Sequence, residues 1–379
     1  VYRLLFVVND AAFFLSHRLP LAQAARQRGY DVHVATPESA TAKEIQRNGF
    51  SYHSIPLSRQ GRNPWKEAEG IMALYFLYRC LRPDLVHHVT LKPVLYGGMV
   101  ARLAGVPAVV NALTGLGYAF TTPGWKAASL RCVLKIFLRL ALKHHNGSTI
   151  FQNQNDRSLL VKSGVISEPA TVLIKGSGVD MITYAPCPEP PGIPVVLLAS
   201  RMLWDKGVGE FIEAARRLRT EGVEARFVLA GLPDPGNPTA VSPKTLQDWE
   251  AEGVVEWWGH RNDMPEVFAQ ANLVCLPSYR EGLPKVLIEA AACGRAIVAT
   301  DVPGCREVVR HGINGLLVSA RDSSSLAHAL QVLIENPASR RSMGMEGRIL
   351  AMSEYSIEQV IEQTFKLYAA LLPEEEAKT

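Results

Sequence analysis

Short apolar runs alternate with amphipathic stretches along the chain. Leu4–Val8, Asp31–Thr36, Leu85–Val89 and Ala108–Asn111 read as strands. His17–Arg28 reads as a helix, with Leu19, Ala22 and Ala25 on its apolar side and a stop at Gly29. The alternation then restarts. Pro194–Ala199, Arg226–Ala230, Glu256–Trp258, Leu273–Leu276 and Ala296–Ala299 read as strands. Gly209–Thr220, Val286–Ala292, Asp322–Ile334 and Ile357–Leu372 read as helices. Strands separated by helices imply crossover connections and therefore parallel sheets.

Between the two series lies Tyr184–Gly192, which holds four prolines and reads as a stiff linker. The expected organisation is a first domain over 1–183, a linker over 184–192 and a second domain over 193–355. The fold class is α/β, with two doubly wound, Rossmann-like domains facing across a cleft. Ligands are expected at the carboxyl ends of the strands. A chain of 379 residues accommodates two domains of about 150 residues each.

Composition narrows the class without deciding it. The chain is 47% apolar and 20% charged, which excludes a disordered, collagen-like or coiled-coil protein. No run reaches the length of a membrane-crossing helix. The chain enters Leu4–Val8 without a charged leader, so a cytoplasmic location is expected. Cys80, Cys132, Cys187, Cys275, Cys293 and Cys305 are far apart, and no pair has metal or redox spacing. The net charge of +4 is an average of unlike parts. Residues 1–190 carry 21 Lys/Arg against 11 Asp/Glu, and the remainder carries 19 against 25.

Two loops carry candidate chemistry. Arg201 and Lys206 flank a turn directly after the strand Pro194–Ala199, so both cations can converge on one anion. An Arg fork and a mobile Lys suit a diphosphate, and two solvated loop cations are the alternative. Glu281-Gly282-Leu283-Pro284 follows the strand Leu273–Leu276 and opens a helix. Free N–H groups at a helix start attract phosphate, and Gly282 permits close backbone approach. Glu289 lies within that helix in an Ile-Glu-Ala-Ala-Ala context, where an unpartnered carboxylate is costly.

These segments resemble the signature of the large family-four glycosyltransferases, retaining enzymes of the GT-B fold. The shared features are Glu281 and Glu289 in a Glu-Gly-Leu-Pro frame, Arg201 to Gly207, Val302-Pro-Gly304, and Asn314-Gly315. The resemblance implies a nucleotide-sugar donor, with Arg201 and Lys206 on its diphosphate. Glu281 would contact the donor sugar and Glu289 the ribose. Gly282, Leu283 and Pro284 would supply backbone, and Arg261 would flank the base. No metal or cofactor is implied, because the cationic side chains take that role. The C-terminal helix over 356–379 is expected to cross back to the first domain.

On the amino-terminal side the chain departs from many relatives. The Gly-Gly pair after the first strand is absent, and Asn111-Ala-Leu-Thr114 stands where a histidine is common. Thr114 is the candidate replacement contact. His17-x-x-Pro20 is similar to loops of GT-B enzymes that act on lipid diphosphates, so His17 and Arg18 are candidate acceptor contacts at a helix start. His87 and His88 end another strand, with Lys92 nearby, and at least one of them is expected to face the cleft. Asn111 to Tyr118 and the His17 loop look most like the subgroup acting on polyprenyl-diphosphate sugars, commonly with a UDP-linked N-acetylhexosamine. A nucleotide-sugar epimerase and a non-catalytic binding protein are the rival readings.

The basic excess has a local source. Trp125–His145 contains no acid, and Arg131, Lys135, Arg139 and Lys143 recur every four residues. Such a stripe among aliphatics reads as a helix lying on an anionic membrane surface. The alternative is a solvated face over ordinary core. A peripheral position on the inner face of the cell membrane follows from the first reading. Groups that stack on or read bases are absent, which leaves nucleic acid without support.

Overall fold

The computed structural model describes residues 1–57, 63–116 and 125–373. The chain forms two compact units, Val1–Ser177 with Glu358–Thr379, and Gly178–Ile357. The first unit contains β1 Arg3–Val8, α1 Ala11–His17, α2 Leu19–Gln27, β2 Asp31–Thr36, α3 Ala42–Arg47, β3 Ser51–Ser54 and α4 Pro64–Leu81. It continues through β4 Leu85–Val89, α5 Leu91–Ala104, β5 Ala108–Leu113, α6 Trp125–Leu142, β6 Gly147–Phe151, α7 Gln154–Lys162 and β7 Thr171–Leu173. Among the described residues these strands form one seven-stranded parallel sheet in the order β3-β2-β1-β4-β5-β6-β7. The near-continuous apolar runs of β1, β4 and β5 are explained by this arrangement, because helices cover both faces of such a sheet.

The second unit contains β8 Val195–Ala199, α8 Val208–Thr220, β9 Arg226–Ala230, α9 Pro243–Ala251, β10 Glu256–Trp257, α10 Met264–Ala269 and β11 Leu273–Leu276. It closes with α11 Lys285–Ala292, β12 Ala296–Thr300, α12 Pro303–Val308, β13 Gly315–Val318, α13 Ser323–Glu335, α14 Pro337–Glu354 and the start of α15, Ile357–Leu371. Its described strands form a six-stranded parallel sheet in the order β10-β9-β8-β11-β12-β13. One core cluster lies under α8 and α13, and another under α11.

The expected linker behaves differently. The Pro-rich run lies inside the second unit and is pinned there. The buried guanidinium of Arg340 donates to Glu189 at 2.7 Å, and Asn272 donates to the Pro190 carbonyl at 3.0 Å. The chain instead passes between units at Ser177–Gly178 and Ile357–Glu358. Gly178 has φ +74°, and a Cβ there would lie 2.5 Å from the Ile357 Cα. From Glu358 onward α15 packs in the first unit, where Val360, Phe365 and Tyr368 enter its core.

The predicted helix His17–Arg28 is two helices. The Asp10 carboxylate accepts from the Ala12 and Phe13 N–H groups and starts α1 earlier. Pro20 then seeds α2, so the chain breaks at Arg18. His17 therefore ends a helix rather than beginning one.

Candidate active site

In the second unit, the turn after β8 and the turn after β11 meet. Lys206 Nζ lies 2.5 Å from Glu281 Oε1, and both side chains are largely buried. Arg201 Nη1 donates to Asp234 Oδ2 at 2.6 Å. Backbone geometry makes this approach possible. Gly207 has φ +73°, and a Cβ there would fall 2.1 Å from the Pro277 carbonyl oxygen. Ser278 and Tyr279, just before Glu281, bond the Asp205 carbonyl at 3.2 and 2.9 Å. Gly304 at the start of α12 presses on the same loop, since its Cβ would lie 2.6 Å from the Glu281 carbonyl. The spaced glycines of the sequence pattern thus serve one close-packed corner.

Pro284 is the N-cap of α11, and Gly282 and Leu283 lead into it. The start of a helix favours an anion through its N–H groups and dipole. Glu289 sits on the buried face of that helix, with Lys285 Nζ 3.0 Å from its Oε1. The Tyr184 hydroxyl also bonds it, and burial together with Glu289 raises the tyrosine's pKa. This carboxylate is therefore buried and partnered, which explains how the apolar context tolerates it. Arg261 is half-buried, bonded to Asp263 at 2.7 Å, and 5.7 Å from the Trp258 ring centroid. Asp234 and Tyr184 carried no signal in the sequence, and only the tertiary fold brings them to the motif residues, whereas Lys285 pairs with Glu289 at helical i,i+4 spacing within α11.

In the first unit, His17 is half-buried and its orientation is set locally. Its ring stacks on Phe13 with centroids 4.0 Å apart, and Nδ1 lies 2.8 Å from Ser16 Oγ. Arg18 does not join it. The break between α1 and α2 turns Arg18 inward, where it is 4% exposed. Burial lowers its pKa to about 10. Arg18, expected beside His17 as an acceptor contact, is thus a buried side chain, whereas His17 keeps partial exposure. His87 and His88 are corrected as well, because both are fully buried. His87 Nδ1 bonds the Tyr368 hydroxyl at 2.6 Å, and His88 lies between Tyr78 and Asn111, each at 2.8 Å. Burial pushes His87 well down and His88 to about 4. Thr114 is half-buried at the end of β5, while Gly117 and Tyr118 lie outside the described residues.

One further feature was not visible in the sequence. Thr90 follows β4 with φ +74° and ψ 166°, a conformation costly for a β-branched residue. Its hydroxyl donates to Asn9 Oδ1 at 2.8 Å, joining the carboxyl ends of β1 and β4. Lys92, two residues on, pairs with Glu67 at 2.8 Å.

The basic segment is helical through Leu142, and Lys143 follows its end. Arg131 and Lys135 are half-buried, whereas Arg139 and Lys143 are exposed. Val133, Ile136, Phe137 and Leu140 are 46–57% exposed, so much of the apolar surface of α6 is not core. The side chains of Trp125 and Leu130 lie outside the described residues. Among the described residues no helix is long and apolar enough to cross a membrane, and no acid–His–Cys cluster could hold a metal ion.

Two doubly wound parallel units place the molecule in the GT-B class, and comparisons with known proteins agree. The Anabaena HepE protein in complex with UDP-glucose superposes with a TM-score of 0.78 at 19% identity, covering 98% of this chain and 100% of that one. The family described as "Glycosyl transferases group 1" matches residues 193–336, and "Glycosyl transferase 4-like" matches residues 3–153. The alpha-maltose-1-phosphate synthase of Mycolicibacterium smegmatis is 30% identical, across 75% of this chain and 78% of its own. The N,N'-diacetylbacillosaminyl-diphospho-undecaprenol alpha-1,3-N-acetylgalactosaminyltransferase of Campylobacter jejuni is 27% identical, across 97% of this chain and 98% of its own. The chain belongs to this glycosyltransferase family and is an enzyme of that class.

Proposed function

We propose that this enzyme moves an N-acetylhexosamine from a UDP donor to an undecaprenyl-diphosphate-linked sugar, with retention of anomeric configuration. The Campylobacter relative, whose name carries that acceptor and an alpha linkage, supports the reading across nearly its whole length. The observation in this chain that carries its donor side is the Lys206–Glu281 pair leading into α11, with Arg201 on the same turn after β8 as Lys206.

Breaking a sugar–diphosphate bond builds negative charge on the departing oxygen. Cations fixed before reaction stabilise that charge without reorganising. In this reading Arg201 and Lys206 hold the diphosphate, with Asp234 and Glu281 fixing their positions. Glu281 accepts from donor-sugar hydroxyls beside the backbone of Gly282, Leu283 and Pro284. Glu289 serves the ribose, Arg261 flanks the base, and Thr114 is a further donor contact. The side-chain cations act where other enzymes use a metal, and the nucleotide sugar is a substrate. His17 is the acceptor-side contact.

The acceptor is a membrane lipid, and α6 supplies a surface for reaching it. Exposed Val133, Ile136, Phe137 and Leu140 stand on the helix that carries Arg131, Lys135 and Arg139, with Lys143 just beyond. Apolar burial combined with attraction to anionic headgroups describes a peripheral helix on the cytoplasmic leaflet.

The test is transfer of radiolabelled UDP-N-acetylhexosamine to a defined polyprenyl-diphosphate sugar. Lipid-linked product is expected. Undiminished transfer by the double variant Arg201→Ala, Lys206→Ala would overturn the mechanism. An isomerised sugar formed from donor alone would assign an epimerase instead.

A further inference from the structure

A cavity in the second unit lies among aromatic side chains. It has a volume of about 370 Å³ and is lined by Trp204, Trp249, Tyr279, Glu210, Glu213 and Arg321. The Trp204 and Trp249 rings stand at 90° with centroids 5.8 Å apart, forming two perpendicular walls. Trp204 is 42% exposed, although it lies in the loop between Arg201 and Lys206. Its indole rests on Gly209, where a Cβ would come within 3.1 Å of Cζ3. Arg321 takes a left-handed backbone with φ +63°, and its guanidinium carbon sits 4.6 Å from the Tyr279 ring centroid.

The polar groups are equally specific. The Tyr279 hydroxyl donates to Glu210 Oε1 at 2.6 Å, so that carboxylate is held in place at the rim. Glu213 lies one helical turn further along α8 and accepts from Arg216 at 2.5 Å. Glu210 and Glu213 stand against the guanidiniums of Arg321 at the cavity and Arg216 on Glu213, so no cationic excess is left to attract a phosphate-bearing ligand. They suit neutral hydroxyl groups, which donate to carboxylates and accept from Arg321. An exposed indole face is electron-rich and attracts the weakly positive C–H face of a sugar ring. The cavity is also within the size range of small-molecule sites.

We propose that this cavity is an auxiliary saccharide site that takes a neutral pyranose ring against Trp204. Glu210, Glu213 and Arg321 hold its hydroxyls. The inference stands apart from the donor reading, because no residue assigned to the nucleotide sugar lines the cavity. It adds a connection, however. Trp204 shares a loop with Arg201 and Lys206, and the Tyr279 N–H donates to the Asp205 carbonyl at 2.9 Å. A sugar seated here braces the loops that carry the candidate catalytic cations.

Saturation-transfer NMR on the full chain tests the proposal, with methyl α-glucopyranoside, methyl N-acetyl-α-glucosaminide and maltotriose as probes. Transfer to the ring C–H protons is expected, together with quenching of tryptophan fluorescence. Trp204→Leu should weaken binding at least about tenfold. Glu213→Gln, on an exposed helix face, should weaken it a few-fold. Tighter binding of maltotriose identifies a glycan chain as the natural occupant, and equal affinities identify a single ring; both satisfy the proposal. It is overturned if no probe binds, if Trp204→Leu and Glu213→Gln bind as the parent does, or if UDP displaces the sugar.

Discussion

Lys206 and Glu281 are 75 positions apart in sequence, yet Nζ and Oε1 lie 2.5 Å from each other. The pair joins the turn after β8 to the turn after β11, which are adjacent strands in the second sheet. Both groups are largely buried, so truncating one leaves a charge without its partner. Lys206→Ala is therefore expected to lower kcat for sugar transfer by about 100-fold or more, as loss of a preorganised charge-stabilising group does. Glu281→Gln, which keeps the shape and removes the charge, should also lower kcat. Steady-state assays at saturating donor read both effects.

Gly207 predicts a stability effect separate from chemistry. Its φ is +73°, and a Cβ would sit 2.1 Å from the backbone oxygen of Pro277. A backbone atom cannot swing aside as a flexible side chain can. Gly207→Ala is expected to destabilise the second unit by about 2 kcal/mol or more, combining left-handed strain with the clash. Urea titration followed by tryptophan fluorescence measures it. Gly222→Ala, also at positive φ but with open space around the Cβ, should cost less.

The buried histidines set a pH dependence. Burial is the main cause that lowers His88 from 6.5 to about 4, with the His144 charge acting the same way and the Asn111 bond opposing both. The unfolded chain then binds a proton that the folded chain refuses between those values. Stability from His88 is complete above pH 6.5 and is lost as pH falls toward 4, by about 3 kcal/mol in total. His87 is lowered in the same direction. Urea midpoints should fall from pH 7 to pH 5, and His88→Gln should flatten that slope. An unchanged slope in the variant would contradict the buried neutral state.

Tyr368 ties the C-terminal helix to β4 through its bond to His87 Nδ1 at 2.6 Å. Tyr368→Phe keeps the ring in the core and removes the hydroxyl. The expected cost is about 1–3 kcal/mol, since a buried ring nitrogen loses its partner. Hydrogen exchange should show faster opening of α15 in the variant, with α8 unaffected.

The surface of α6 predicts membrane behaviour. Each cation near an anionic leaflet contributes about 1 kcal/mol. Reversing Arg131, Lys135 and Arg139 to Glu should abolish co-sedimentation with phosphatidylglycerol-containing liposomes and spare UDP binding. Retained sedimentation would detach the charge asymmetry from any membrane role.

Much of this architecture was legible before folding was considered. The apolar runs that became β1, β4, β8 and β12 are short and have Gly, Pro or Asp nearby, which favours strands over helices. The spaced motif Arg201 to Gly207 and Glu281 to Glu289 was equally plain. β3, β6, β7 and β13 were not read as strands; Ser51–Ser54 and Thr171–Leu173 are short and the first is polar. The break at Arg18 escaped because Leu19, Ala22 and Ala25 continue a helical pattern across it. The Pro-rich run looked like a hinge because its anchors, Arg340 and Asn272, are 151 and 82 residues away.

By itself, then, the sequence determined the two parallel sheets, the family and which loops carry charge, because local periodicity and turn chemistry are written in neighbouring residues. The tertiary structure decided which charges are paired and which are hidden. Arg18, His87 and His88 share the polarity of His17, yet burial removes all three from the surface. That outcome depends on what packs over a side chain, and Tyr368 reaches His87 from 281 positions away.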